Sequence, residues 1–138
     1  MKKERLIKEW LSHAISDFEL ARKGRFSKKV RYDTLCFHAQ QTAEKSIKML
    51  LVFYDKPFPK THNIEHLLKL LKEEKIVIPK TIEKSKILSD YAVETRYPDD
   101  FDAKDEIDKK EYKQAVALAA KVLEWAKQIT NKRSDKLF

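Results

Sequence analysis

Glycine is nearly absent from this chain, with Gly24 alone among 138 residues. Loops that cradle phosphates need several glycines, so nucleotide binding of the P-loop or dinucleotide-fold kind is excluded. Cysteine is equally scarce. A single Cys36 permits no disulfide within the chain and no cysteine pair for zinc. No window has the long uncharged run that a membrane span requires. The opening Met-Lys-Lys-Glu-Arg is not followed by the apolar core of a secretion signal. These absences lead to the expectation of a cytoplasmic protein with no membrane association. With four prolines and 38% charged residues, the chain reads as helices joined by short connections.

Periodicity supports that reading. In the stretch 35–54, Cys36, Ala39, Ala43, Ile47, Leu50, Leu51 and Tyr54 recur at steps of three and four, the spacing of one helix face. Gln40 falls inside this face and Glu44 at its edge, while His38, Gln41, Lys45 and Lys48 fall opposite. Phe37, Met49, Val52 and Phe53 also lie off the stripe, so the second half of the helix is apolar nearly all round. Such a helix is central in a bundle or covered by a second subunit, and both roles are expected here, with a homodimer as the consequence.

The remaining stretches follow in order. Residues 4–22 give a first amphipathic helix, stopped at Gly24 by a left-handed backbone turn. A central helix runs from about Tyr32 to Tyr54 and ends at Pro57 and Pro59. Thr61 or Asn63 caps a short third helix carrying Ile64, Leu67, Leu68 and Leu71. Ile76-Val77-Ile78 reads as a buried connection. A fourth helix is expected over 80–95, with Ile82, Leu88, Tyr91 and Ala92 inward. A last helix starts near Lys104 and carries Tyr112, Ala115, Ala119, Val122 and Ala126. Residues 131–138 read as a frayed tail. The expected fold is all-α, an antiparallel up-and-down bundle of four long helices and one short, in a single domain over 1–138 with its core at about 5–130.

Charge is unevenly spread on a chain of net charge +8. Arg22, Lys23, Arg25, Lys28, Lys29 and Arg31 form a basic run without an acid, and an acidic cluster follows Glu94. The basic run suits RNA or phosphates by Coulomb attraction, or is a solvated loop on a lysine-rich protein. His62 and His66 are spaced to share a metal, but no third ligand is evident, so no metal and no cofactor is expected. His13 and Asp17 read as a surface pair. An amide at Gln40 needs partners on an apolar face. It either fixes helix register or orients Arg96 or Tyr97. In Arg96-Tyr97-Pro98-Asp99, Arg96 offers a fork of donors for phosphate or carboxylate and Tyr97 a ring for stacking. The alternative is a helix–helix turn in which Arg96 pairs with Asp99 or Asp100.

Three segments, 36–51 (Cys-Phe-His-Ala-Gln-Gln-Thr-Ala-Glu-Lys-Ser-Ile-Lys-Met-Leu-Leu), 61–68 (Thr-His-Asn-Ile-Glu-His-Leu-Leu) and 90–99 (Asp-Tyr-Ala-Val-Glu-Thr-Arg-Tyr-Pro-Asp), resemble the HEPN domain family. The resemblance implies a helical bundle that dimerises and binds a nucleotide, made beside a separate minimal nucleotidyltransferase to which it presents substrate. It implies Arg96, Tyr97, Asp99, His38, Gln41, Lys45, Lys48 and His62 as binding residues. Other branches are ribonucleases of toxin–antitoxin pairs, marked by Arg, four to six residues, then His near the start of the last long helix. Here positions 100–103 after Arg96 hold Asp, Phe, Asp and Ala, and no histidine follows. Arg31 and His38 have the spacing but stand at the start of the central helix. The expectation is therefore a non-catalytic binding module with no catalytic residues. A ribonuclease or a purely structural interaction subunit is the alternative.

Overall fold

A computed structural model describes residues 1–92 and 106–137, with side chains through 131. The fold is an all-α bundle of five helices, and no strand occurs among the described residues. Helix α1 spans Lys2–Lys23 and passes through a 3-10 turn, Gly24–Phe26, toward α2, Tyr32–Phe53. Helix α3 covers Ile64–Glu73, α4 covers Lys80–Glu83 and continues as a 3-10 segment, Lys84–Tyr91, and α5 covers Lys109–Leu137.

Helix α2 is the axis of the bundle and packs against every other long element. Its apolar stripe is fully buried, from Cys36 and Ala39 through Ala43, Ile47, Leu50 and Leu51. Each such leucine or isoleucine contributes about 1.5–3 kcal/mol by leaving water. Met49 is fully buried as well, covered by this chain alone, whereas Phe37, Val52 and Phe53 remain half-buried. The nearly all-round apolarity of this end therefore reflects mainly its central place in one chain. Burial pushes the Cys36 thiol up to about 12, so it behaves as a small apolar side chain.

Cross-helix contacts fix the topology. Lys3 Nζ reaches Asp55 at 3.0 Å, Asp17 reaches His38 at 2.9 Å, and Gly24 meets Leu35, so α1 and α2 form an antiparallel hairpin. Tyr112, near the start of α5, stacks on Tyr32 at the start of α2 with ring centroids 5.0 Å apart. The chain thus returns across the bundle through α3 and the α4 leg before α5 begins. The Tyr112 hydroxyl donates to the Ala21 carbonyl at 2.6 Å, joining the end of α1 to the start of α5.

Four local expectations are corrected. Gly24 has φ −58° and is right-handed, so it does not stop α1 by a left-handed turn. Its need is space, because a Cβ there would overlap Leu35 Cδ2. The left-handed positions are instead Asp55 (φ 56°) and Lys75 (φ 62°), directly after α2 and α3. Val77 is 88% exposed while Ile76 and Ile78 pack partly buried against the core, so 76–78 is buried only in part. The fourth helix is α-helical only through Glu83. Its inward residues Ile82, Ser85, Leu88 and Tyr91 recur every third position, and a 3-10 helix eclipses i and i+3 on one face. Helix α5 begins at Lys109 rather than near Lys104, because the Asp108 carboxylate accepts from Glu111 N at 2.8 Å and caps it.

Other local expectations agree. The Asn63 side chain accepts from His66 N at 3.1 Å and caps α3, whose Ile64, Leu67, Leu68 and Leu71 are buried. None of the described helices is long and apolar enough to cross a membrane.

Candidate functional site

The polar row of α2 is folded into the protein, where two networks consume it. In the first, Asp17 of α1 is 8% exposed and accepts from His38 Nδ1 at 2.9 Å and from Lys45 Nζ at 2.6 Å. Because a carboxylate only accepts, the proton of His38 is placed on Nδ1. Asp17 is therefore not the surface partner of His13, which instead lies 3.8 Å from Glu9.

The second network centres on Glu44, which is 3% exposed. It accepts from Gln40 Nε2 at 2.9 Å, Lys48 Nζ at 2.9 Å and His62 Nδ1 at 2.8 Å. Burial pushes the Glu44 carboxyl up, but hydrogen bonds from Gln40, Lys48 and His62, with the Lys48 charge, outweigh it and hold the group below its usual range. The Gln40 amide also donates to the His62 carbonyl at 3.2 Å, and its oxygen accepts from Gln41 at 2.6 Å. Gln40 thus ties α2 to the connection before α3. Lys48 is 7% exposed, with its ammonium 5.8 Å from the rings of both Trp10 and Phe58. It lies inside the bundle, not on an outward face. No buried side-chain nitrogen or oxygen among the described residues lacks a partner.

Of the residues expected to bind a ligand, His38, Gln41, Lys45, Lys48 and His62 are brought close together in these networks and already engaged. Arg96, Tyr97 and Asp99 lie outside the described residues. No group of three or more candidate metal ligands occurs among the described residues.

An open groove lies elsewhere, where the end of α1, the 3-10 turn, the start of α2 and the start of α5 converge. Its volume is about 760 Å³. Its lining includes the aromatic rings of Phe18, Phe26, Tyr32 and Tyr112 and the cations Arg22, Arg25, Lys109 and Lys113. The Tyr32–Tyr112 stack forms one wall. Phe26 is 74% exposed, and the Arg25 guanidinium sits 4.2 Å from its ring centroid. Burial raises the Tyr112 hydroxyl above its usual range despite the opposing charge of Arg25. Arg22 and Lys23 share Glu19, at 3.4 and 2.7 Å, and Arg31 lies 3.1 Å from Asp33. Lys109 and Lys113 form no ion pair with the described residues.

The groove was legible only in part. The run 22–31 supplies Arg22, Arg25 and Phe26, but Lys109, Tyr112 and Lys113 come from α5. Tyr112 was read on the inward face of the last helix, and no sequence signal singled out Lys109 or Lys113. Nothing in the sequence ties the first turn of that helix to the basic run.

Similarity to known proteins agrees with the fold. The chain is similar to ST0689, described as an archaeal HEPN homologue, with 27% identity and a TM-score of 0.69, covering 88% of this chain and 95% of that one. It is also similar to TT1696 from Thermus thermophilus, with 28% identity and a TM-score of 0.72, covering 88% and 96%. No curated protein matches it. The HEPN domain family matches over residues 7–129, nearly the length of the bundle, and the chain is therefore a member of that family.

Proposed function

We propose that this HEPN domain is a non-catalytic binding module that takes a nucleotide in the groove between α1, α2 and α5. One observation carries the reading: four aromatic rings and four cations line a single open cavity of about 760 Å³. Rings give a base a face to stack on, and guanidinium and ammonium groups meet phosphate oxygens. The two α2 networks act as the frame. They lock α1 and the connection before α3 onto α2 and so fix the walls of the groove. In the same proposal Arg96 contacts phosphate and Tyr97 stacks or packs, with Asp99 among the binding residues. Presentation to a separate minimal nucleotidyltransferase, and a homodimer closing over Phe37, Val52 and Phe53, complete it.

Calorimetric titration with nucleoside monophosphates and triphosphates tests the site. Arg25→Ala is expected to weaken binding, and Arg96→Ala to weaken ligand or partner binding, each leaving unfolding within about 1 kcal/mol of the parent. Equal loss of folding stability in Arg96→Ala makes its turn structural. Affinity purification with mass spectrometry tests the partner, and a co-purifying nucleotidyltransferase in stoichiometric amount is the supporting result.

A ribonuclease is the second reading, favoured by the Asp17–His38 pair. The carboxylate holds Nδ1–H, which leaves Nε2 as the basic nitrogen, the arrangement of an oriented general base. Arg31 is the N-cap residue of α2, about two turns before His38. Cleavage of mixed RNA by clean protein, abolished in His38→Ala, supports this reading, and no cleavage on long incubation removes it.

A further inference from the structure

We infer that His62 is a covalent acceptor of a phosphoryl group at Nε2, with an acyl phosphate as the class of donor. The site is separate from the aromatic groove, whose lining does not include His62.

Orientation is the first argument. The His62 ring donates through Nδ1 to Glu44 Oε1 at 2.8 Å. Glu44 is buried and is itself fixed by donors from Gln40 and Lys48, each at 2.9 Å. A carboxylate only accepts, so the ring proton is held on Nδ1 and the lone pair lies on Nε2. The backbone is fixed as well. The Gln40 amide donates to the His62 carbonyl at 3.2 Å, and Asn63 N donates to Thr61 Oγ1 at 3.1 Å. A nucleophile steered by a partner that is itself anchored is the arrangement that covalent chemistry uses.

Access is the second. The His62 side chain is 66% exposed although Nδ1 points at a buried carboxylate. No hydrogen bond or ion pair among the described residues uses Nε2. The other three histidines do not combine the two conditions. His38 is oriented by Asp17, but its side chain is only 20% exposed. His13 is exposed, and it is Nε2 that lies 3.8 Å from an exposed Glu9. His66 is exposed and engages the Asn63 cap through its backbone N–H, not its ring.

Charge selects the electrophile. Lys48 balances Glu44, so the carboxylate that orients the ring does not repel an incoming anion. His62 stands directly before Asn63, the N-cap of the ten-residue helix α3, whose dipole favours a phosphoryl dianion on the preceding residue. An acyl phosphate fits because its carboxylate leaves without a proton, and no acid among the described residues is placed at Nε2 to assist a poorer leaving group. In the step, Nε2 attacks phosphorus. The N–P bond forms as the bond from phosphorus to the acyl oxygen breaks, and the carboxylate leaves with that electron pair. The ring keeps its Nδ1 proton, and Glu44 meets the positive charge that the ring gains.

Incubation with acetyl phosphate, followed by mass spectrometry at alkaline pH and phosphorus NMR, tests the site. Label is expected on His62 at Nε2, at about tenfold or more the rate of His13 and His66. Glu44→Gln keeps an acceptor oxygen but removes the charge, and should slow labelling about tenfold. His62→Gln should abolish it, with circular dichroism confirming that both variants fold. Should Glu44→Gln not fold, the position of the label in the parent decides. Nδ1 is the atom against Glu44, so a phosphoryl group there means that the pair does not orient the ring. Absence of label, equal label on His13 and His66, an Nδ1 product, or an unchanged rate in folded Glu44→Gln each overturns the inference.

Discussion

Two sets of cations in this protein meet opposite fates. Lys45 and Lys48 of α2 are folded against carboxylates, with Lys48 only 7% exposed and 2.9 Å from Glu44. Lys109 and Lys113 of α5 face an open groove, and no carboxylate among the described residues pairs with them. Removing water strengthens an ion pair and makes an unpaired charge costly, so the α2 cations are bound to their partners and unavailable to a ligand. Cations left in water cost little and keep their capacity for an incoming phosphate. The difference teaches that polar residues on a central helix of this bundle can be held by carboxylates of the same chain, whereas cations at converging helix ends are left open to water.

The sharpest way to break that contrast is to remove the carboxylate beneath the buried cation. Glu44→Ala leaves Lys48 and Gln40 without their acceptor, and chemical denaturation is expected to show a loss of about 3–5 kcal/mol. A loss under about 1 kcal/mol would mean that the network is not what holds α2 to its neighbours.

Gly24→Ala probes the joint between frame and groove. The added Cβ drives into Leu35 and displaces the turn that carries Arg25 and Phe26. Overpacking of this kind costs about 1–3 kcal/mol, read as a lower denaturation midpoint, and ligand affinity should fall with it.

Acid separates the two regions without mutation. The folded Glu44 carboxyl titrates below its unfolded value, so its contribution is complete above about pH 4.3 and is lost as pH falls through the lower folded value. Thermal unfolding followed through that range should show a steeper acid loss in the parent than in Glu44→Gln. Parallel curves would refute the assignment.

The smallest effect is expected in the groove. Lys113→Ala should leave stability within about 0.5 kcal/mol, since its charge has no partner to lose. A larger destabilisation by denaturant titration would place Lys113 in the frame.

The two networks were half legible. Gln40 on an apolar face signalled a buried amide in need of partners, and the structure supplies Glu44, the His62 carbonyl and Gln41. Asp17 gave no such signal, because its partners His38 and Lys45 lie 21 and 28 residues away. Lys48 looked solvent-facing, because helical phase was measured from a single stripe. A helix surrounded on most sides has no single outward face, and Trp10 and Phe58 close over the side that phase alone assigns to water.

By itself the sequence determined what depends on near neighbours. The helical periods of α1, α2, α3 and α5 follow from residues three and four apart, and the buried thiol from its place on the apolar stripe. The 3-10 segment Lys84–Tyr91 was not read from the sequence, where a regular helix over 80–95 was expected. Tertiary structure alone decided which polar residues are spent and which are free. Asp17 against Lys45, Tyr112 against Ala21 and Gly24 against Leu35 are contacts between separate elements. The Tyr112 hydroxyl and its acceptor stand 91 residues apart. No periodicity within one helix carries that information, because the rotation and depth at which helices pack are set by the shapes of all the side chains between them.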